Sequence, residues 1–212
     1  MIKILASEFI GTFALVFCGT GAIVVDEFSK GAVSHVGVAI TFGLVIMSMI
    51  YSLGDKSGAH FNPAVTLAFY FHRSFPASKI LPYLSVQLAG AVAASVILRF
   101  LFPGSVLLGA TMPAGTEIQS LLMEFVLSFF LMFVILNVST GSKEVGMFAG
   151  LAIGSVVLLE AMFAGPVCGA SMNPARSIAP ALISGHLEHL WIYLLAPVTG
   201  MFAAVGFIRL LK

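Results

Sequence analysis

Two Asn-Pro-Ala triplets, Asn62-Pro63-Ala64 and Asn173-Pro174-Ala175, are the residues of this chain best placed to do chemistry. A carboxamide both accepts and donates hydrogen bonds. Set directly before proline it suits a helix cap: its oxygen takes an amide hydrogen of the first turn, and proline at the next position sacrifices no bond. Each triplet therefore marks a helix start, where unpaired amides carry partial positive charge. Arg176, three residues after Asn173, adds a permanent cation with a planar fan of donors. Glu8 and Glu124 lie inside apolar runs, a costly placement unless the carboxylates are paired or solvated. This is a vocabulary of binding and exclusion. Gly-x-Ser-x-Gly, His-Glu-x-x-His and paired catalytic aspartates are all missing from the sequence, which argues against an enzyme. The histidines have no metal-site spacing, and Cys18 and Cys168 match no zinc pattern and form no disulfide framework, so neither a metal nor a cofactor is expected.

The elements that position these groups must lie in a membrane. Of 212 residues 59% are hydrophobic and only 9% charged, against about 25% charged in soluble domains. A net charge of +1 with no basic run sets nucleic acid aside. A membrane helix needs about 20 mostly apolar residues, and six stretches qualify, roughly 3–25, 33–53, 80–102, 117–139, 145–164 and 190–211. The first opens with Lys3, carries Glu8 and lacks a small-residue cleavage pattern, so it reads as a retained span. With both termini cytoplasmic, that side holds Lys3, Lys56, Arg73, Lys79, Lys143, Arg209 and Lys212, leaving Lys30, Arg99 and Arg176, a bias that favours this orientation. Two further apolar segments, about 62–71 and 173–183, are too short to cross and each begins at a triplet. They read as half-helices. The Gly-rich stretches before them, Gly54 to Phe61 and Gly165 to Met172, read as irregular backbone, tolerated at membrane depth only inside protein or along a watery cavity.

The two halves repeat one another. Glu8-Phe9, Phe13 and Phe17 recur as Glu124-Phe125, Phe129 and Phe133; Gly58-Ala59 before the first triplet recurs as Gly169-Ala170 before the second; Tyr83-Leu84, Gly90 and Arg99 recur as Tyr193-Leu194, Gly200 and Arg209. The whole chain, 1–212, is expected to be a single membrane channel domain with one repeat at about 3–102 and the other at about 117–211. An odd number of crossings per half inverts the second copy. Inversion brings the half-helices in from opposite faces, so their electropositive tips meet near the midplane. Cations and protons are repelled there, while a neutral solute exchanges hydrogen bonds with the asparagines, and the product is a narrow passive pore.

The residues Ser57-Gly58-Ala59-His60-Phe61-Asn62-Pro63-Ala64-Val65-Thr66 and Gly169-Ala170-Ser171-Met172-Asn173-Pro174-Ala175-Arg176-Ser177 closely resemble the signatures of the major intrinsic proteins, the aquaporins and glycerol facilitators. The likeness runs from Glu8 to the last helix. It implies an all-α membrane protein, an aquaporin-like bundle of six transmembrane helices plus two re-entrant half-helices in an inverted repeat, one pore per subunit and a homotetramer. It places a selectivity constriction at Phe42, Ala161, Ala170 and Arg176, and it gives Glu8 and Glu124 the task of bracing the re-entrant loops. Water channels usually carry a histidine where this chain has Ala161, and glycerol facilitators usually carry Asp where it has Ser177. Gly165 to Ser177 matches throughout the string Gly-Pro-x-x-Gly-Ala-Ser-Met-Asn-Pro-Ala-Arg-Ser of the nodulin-like branch.

That branch implies carriage of small neutral solutes: glycerol-like polyols, urea, and undissociated metalloid acids such as arsenite or boric acid, with some water conductance and exclusion of protons and ions. A predominantly water-selective channel is the alternative. An ion-coupled secondary transporter also uses inverted repeats and broken helices, but Glu8, Glu124 and Glu160 have no evident partners that build an ion site. For His60 two readings stand, a ring bonded to loop groups or, since some relatives link the equivalent histidine to pH gating, a gate. The partners expected are neutral solutes, water, membrane lipids and further copies of the chain, with a prokaryotic plasma membrane as the setting.

Overall fold

The computed structural model describes residues 1–140, 142 and 146–211. Lys143, Val145 and Lys212, which entered the charge count and the span limits, lie outside the described residues. Among those described, the elements run α1 (Ile2–Phe28), α2 (Ser34–Ser57), α3 (Pro63–Phe71), a short 3-10 turn (Ala77–Lys79), α4 (Ile80–Leu101), α5 (Glu117–Ser139), α6 (Ala149–Cys168), α7 (Pro174–Ser184) and α8 (Leu190–Leu210). Six of these are long and apolar enough to cross a membrane. The nine residues of α3 and eleven of α7 reach only about 14–17 Å at 1.5 Å per residue, half a bilayer. The all-helical bundle with two half-helices is the architecture the apolar runs require.

Packing is reciprocal between halves. α1 lies on α4 as α5 lies on α8; α1 meets α2 as α5 meets α6; α4 abuts α7 as α8 abuts α3; and the two halves join along α2 and α6. Backbones touch where side chains are missing. A Cβ at Gly90 would collide with the Phe9 carbonyl, and one at Gly200 with that of Phe125, so these positions let helices approach as small residues do in membranes.

Two boundaries differ from the expectation. Gly54–Ser57 and Gly165–Cys168, read as irregular, are helical. Both helices continue to a glycine in the left-handed region, Gly58 (φ 84°) and Gly169 (φ 82°), whose amides donate to Gly54 O and Gly165 O. Only glycine takes that conformation without a Cβ penalty. Pro166, inside α6, has no amide hydrogen for Met162 O. That carbonyl instead accepts from Nε2 of His35 on α2 at 2.7 Å, so the helix survives its proline. The fifth span accordingly ends at Cys168, four residues beyond the expected limit.

Candidate functional site

The tips of α3 and α7 meet at the asparagines. Asn62 (φ −155°, ψ 120°) and Asn173 (φ −149°, ψ 108°) are extended residues preceding Pro63 and Pro174. Asn62 Oδ1 accepts from the amides of Ala64 (2.9 Å) and Val65 (3.5 Å); Asn173 Oδ1 accepts from those of Ala175 (3.0 Å) and Arg176 (3.4 Å). The oxygen is committed to the cap, which fixes the orientation of each carboxamide. Each Nδ2 reaches across to the other half: Asn62 donates to Met172 O at 2.7 Å and Asn173 to Phe61 O at 2.9 Å. An NH2 group has two hydrogens, so the second of each remains for the cavity that both residues line.

The carbonyls that receive these bonds are held in place by the buried glutamates. Phe61 and Met172 take positive φ values of 48° and 51°, as do Ala59 and Ala170 at 50° and 41°, a conformation costing L-residues roughly 1–2 kcal/mol each. Glu8 Oε1 and Oε2 accept from the amides of His60 (3.0 Å) and Phe61 (2.8 Å). Glu124 does the same for Ser171 (2.6 Å) and Met172 (2.9 Å). Hydrogen bonds to a charged acceptor are the strong kind, and they offset the strain. Glu8 also accepts from Gln87 Nε2 at 2.8 Å, and Gln87 touches Thr66 Oγ1. Sequence reasoning missed Gln87; no local pattern links a glutamine on α4 to a glutamate on α1.

Phe42, Ala161, Ala170 and Arg176 all line one cavity of about 640 Å³, which runs from Asp55 and Ser139 at the ends of α2 and α5 past Leu15 and the asparagines. The Arg176 guanidinium carbon stands 5.2 Å from the centre of the Phe42 ring, within cation–π range. Its Nη1 donates to Gly109 O at 2.7 Å, and its other donors meet no protein acceptor among the described residues. The segment bearing Gly109 is tied down by hydroxyls: Thr111 donates to Ser177 at 2.9 Å, Ser177 lies 2.6 Å from Ser171, and Ser171 donates to Asn173 O. The connection between α4 and α5 thus anchors the arginine, a role the sequence reading did not give it. Arg176 is 2% exposed, and its cavity-facing position is unlike that of an arginine reaching for headgroups.

His60 lies outside the spanning helices. Its Nδ1 is 3.0 Å from Thr66 Oγ1, and its ring stacks on Phe69 with Phe75 and Tyr83 at its edges. Burial among these rings pushes its pKa down to about 3. Among the described residues no group of three or more His, Cys, Asp or Glu is arranged to hold a metal. Cys168 is buried, while Cys18 faces outward, and both are free thiols.

A helical bundle with two half-helices joined tip to tip, their caps lining a cavity through its interior, defines a multi-pass integral membrane channel. The sequence profile of the major intrinsic proteins matches residues 1–208, and the chain belongs to that family. It is a channel and not an enzyme. Aquaporin NIP1-4 of rice (Oryza sativa subsp. japonica) is 50% identical over 206 residues, 97% of this chain and 74% of that protein. Nodulin-26 of soybean (Glycine max) is 48% identical over 200 residues, 94% and 74% respectively. The aquaglyceroporin of Plasmodium falciparum has the same fold, with a TM-score of 0.85 at 23% identity, over 97% of this chain and 94% of that one. The sequence relatives named here are NIP aquaporins of plants, and they give the expected prokaryotic plasma membrane no support.

Proposed function

We propose that the chain is a passive channel for small uncharged solutes, glycerol-like polyols, urea and undissociated arsenite or boric acid, with some water conductance and exclusion of protons and ions. The observation that carries this is the make-up of the cavity wall: an aromatic face at Phe42, a cationic donor at Arg176, and only methyl groups at Ala161 and Ala170, which line the same cavity. A hydroxylated solute sets its carbon or flatter side on the ring and its oxygens on the guanidinium. A histidine at position 161 would narrow the cavity. Past this constriction the solute exchanges hydrogen bonds with the free hydrogens of Asn62 and Asn173, while the two helix tips raise the energy of any cation. Glu8 and Glu124 keep the loops in register; they are positioning groups and do not meet the solute.

On this reading residues 1–212 form one channel domain, with the repeats at about 3–102 and 117–211 and both termini on the cytoplasmic side. Exposed Leu122, Phe130, Phe163 and Leu195 cover the bundle with an apolar surface for lipid and for the neighbouring copies of a homotetramer. Stopped-flow light scattering on proteoliposomes challenged in turn with sucrose, glycerol, urea and arsenite tests the selectivity. Rapid reswelling with the three small solutes is expected. Water flux with all three excluded would replace this reading with a water-selective pore.

A further inference from the structure

We infer that Gly19 on α1 sets the width of the constriction, by having no side chain and so letting the ring of Phe42 lie back out of the pore. The consequence for solutes rests on the function proposed above; the placement of the ring does not.

Phe42 lines the cavity and faces Arg176. On its other side the ring edge lies over Gly19: a Cβ there would stand 2.6 Å from both Cδ1 and Cζ of Phe42, and closer still to Cε1. Ordinary contact begins near 3.4 Å, so the ring would have to move by roughly 1 Å, and a phenyl ring moves as a rigid unit. The backbone of α2 has no room to retreat with it. Gly43, next to Phe42, is pressed onto α6, where a Cβ would lie 2.7 Å from Gly154 O, and one on Gly154 would lie 2.7 Å from Gly43 O. The open space beside the ring is the cavity, and a side chain at position 19 drives Phe42 into it.

The repeat supplies an independent sign. Gly43 is matched by Gly154 in the second half, and Gly90 by Gly200, so glycines that serve helix packing occur in both copies. Gly19 is not matched. With the spacing that pairs Glu8 with Glu124 its counterpart is Ile135, and with the spacing that pairs Gly58 with Gly169 the counterpart of Phe42 is Ile153. Both isoleucines line the cavity. One half therefore carries a large and an absent side chain where the other carries two of middle size, which is the signature of a volume trade across a single contact.

The test compares wild type, Gly19→Ala, Phe42→Leu and the double variant in proteoliposomes. Gly19→Ala is expected to lower glycerol permeability by about tenfold while water falls less than about threefold, and the double variant is expected to regain the glycerol permeability of Phe42→Leu. An unchanged glycerol-to-water ratio in Gly19→Ala overturns the inference, as does a double variant as slow as the single. If Gly19→Ala does not insert, the double variant decides: folded and permeable supports the contact, unfolded as well makes Gly19 a helix-packing residue. If wild-type vesicles exclude glycerol, the proposed function fails and the inference is read on water, which Gly19→Ala would then slow by about tenfold and the double variant restore; unchanged water flux would overturn it.

Discussion

Replacing Glu124 with alanine strips two buried amides, those of Ser171 and Met172, of their acceptors at 2.6 and 2.9 Å. Glu124 is fully buried. A stranded buried donor costs about 1–3 kcal/mol, which puts the loss at roughly 2–6 kcal/mol for the pair. For a chain of this size that corresponds to a fall of about 5–20 °C in melting temperature. Glu124→Gln keeps one acceptor oxygen and should lose about half as much. Glu8→Ala strands the amides of His60 and Phe61 together with one of the two contacts of Gln87 Nε2, so it should be at least as damaging. The assay is thermal challenge in detergent followed by size-exclusion chromatography, with glycerol and water flux measured on the fraction that stays folded. Lower stability and yield, with the selectivity of the survivors near wild type, is the expected pattern. A Glu124→Ala channel that melts with the wild type but has switched selectivity would refute the reasoning, because the carboxylate would then be meeting the solute.

Three further outcomes follow from the site. Ala161→His puts an imidazole into the cavity that Phe42 and Arg176 also line and should reduce glycerol uptake by at least about tenfold while water still passes; solute uptake at the wild-type rate in stopped-flow scattering would show that position 161 does not face the pore. His60, with its pKa near 3, stays neutral above pH 5, so flux should not change between pH 5 and 8 and His60→Gln should leave that profile flat. The unfolded chain takes up the proton near the ordinary value of about 6.5. The linked stability is therefore complete above that pH and is lost as pH falls toward 3, which thermal melts at pH 7 and pH 5 would reveal. A steep flux transition near pH 6.5 that disappears in His60→Gln would instead make this residue a gate.

Apolar length alone locates six crossings, because about 20 mostly apolar residues have no other stable home, and the Asn-Pro pairs announce two helix starts through capping chemistry that acts within three residues. Interactions of that range can be read along a chain. The helix ends at Ser57 and Cys168 could not, since glycine and proline argue locally for a break while the bundle packs the segment as helix and His35 satisfies the carbonyl that Pro166 leaves open. The same limit hid Gln87 behind Glu8 and Gly109 behind Arg176. These partners are separated by 79 and 67 residues, and nothing in the local pattern of either names the other. The internal repeat is the one long-range feature that does show in the sequence, because it sets Glu8 and Glu124 at corresponding places in the first helix of each half, even though it does not state what they touch.

The central claim is a pore that passes neutral molecules down their gradients and rejects charge at the joined tips of α3 and α7. It is tested most directly by glycerol uptake into wild-type proteoliposomes that also contain a pH-sensitive dye, across a range of glycerol concentrations and with and without imposed sodium and proton gradients. Uptake should rise in proportion to concentration, be indifferent to the gradients and leave the internal pH unmoved. Uptake that saturates at low concentration and requires an ion gradient, or proton entry that accompanies the solute, would contradict the account.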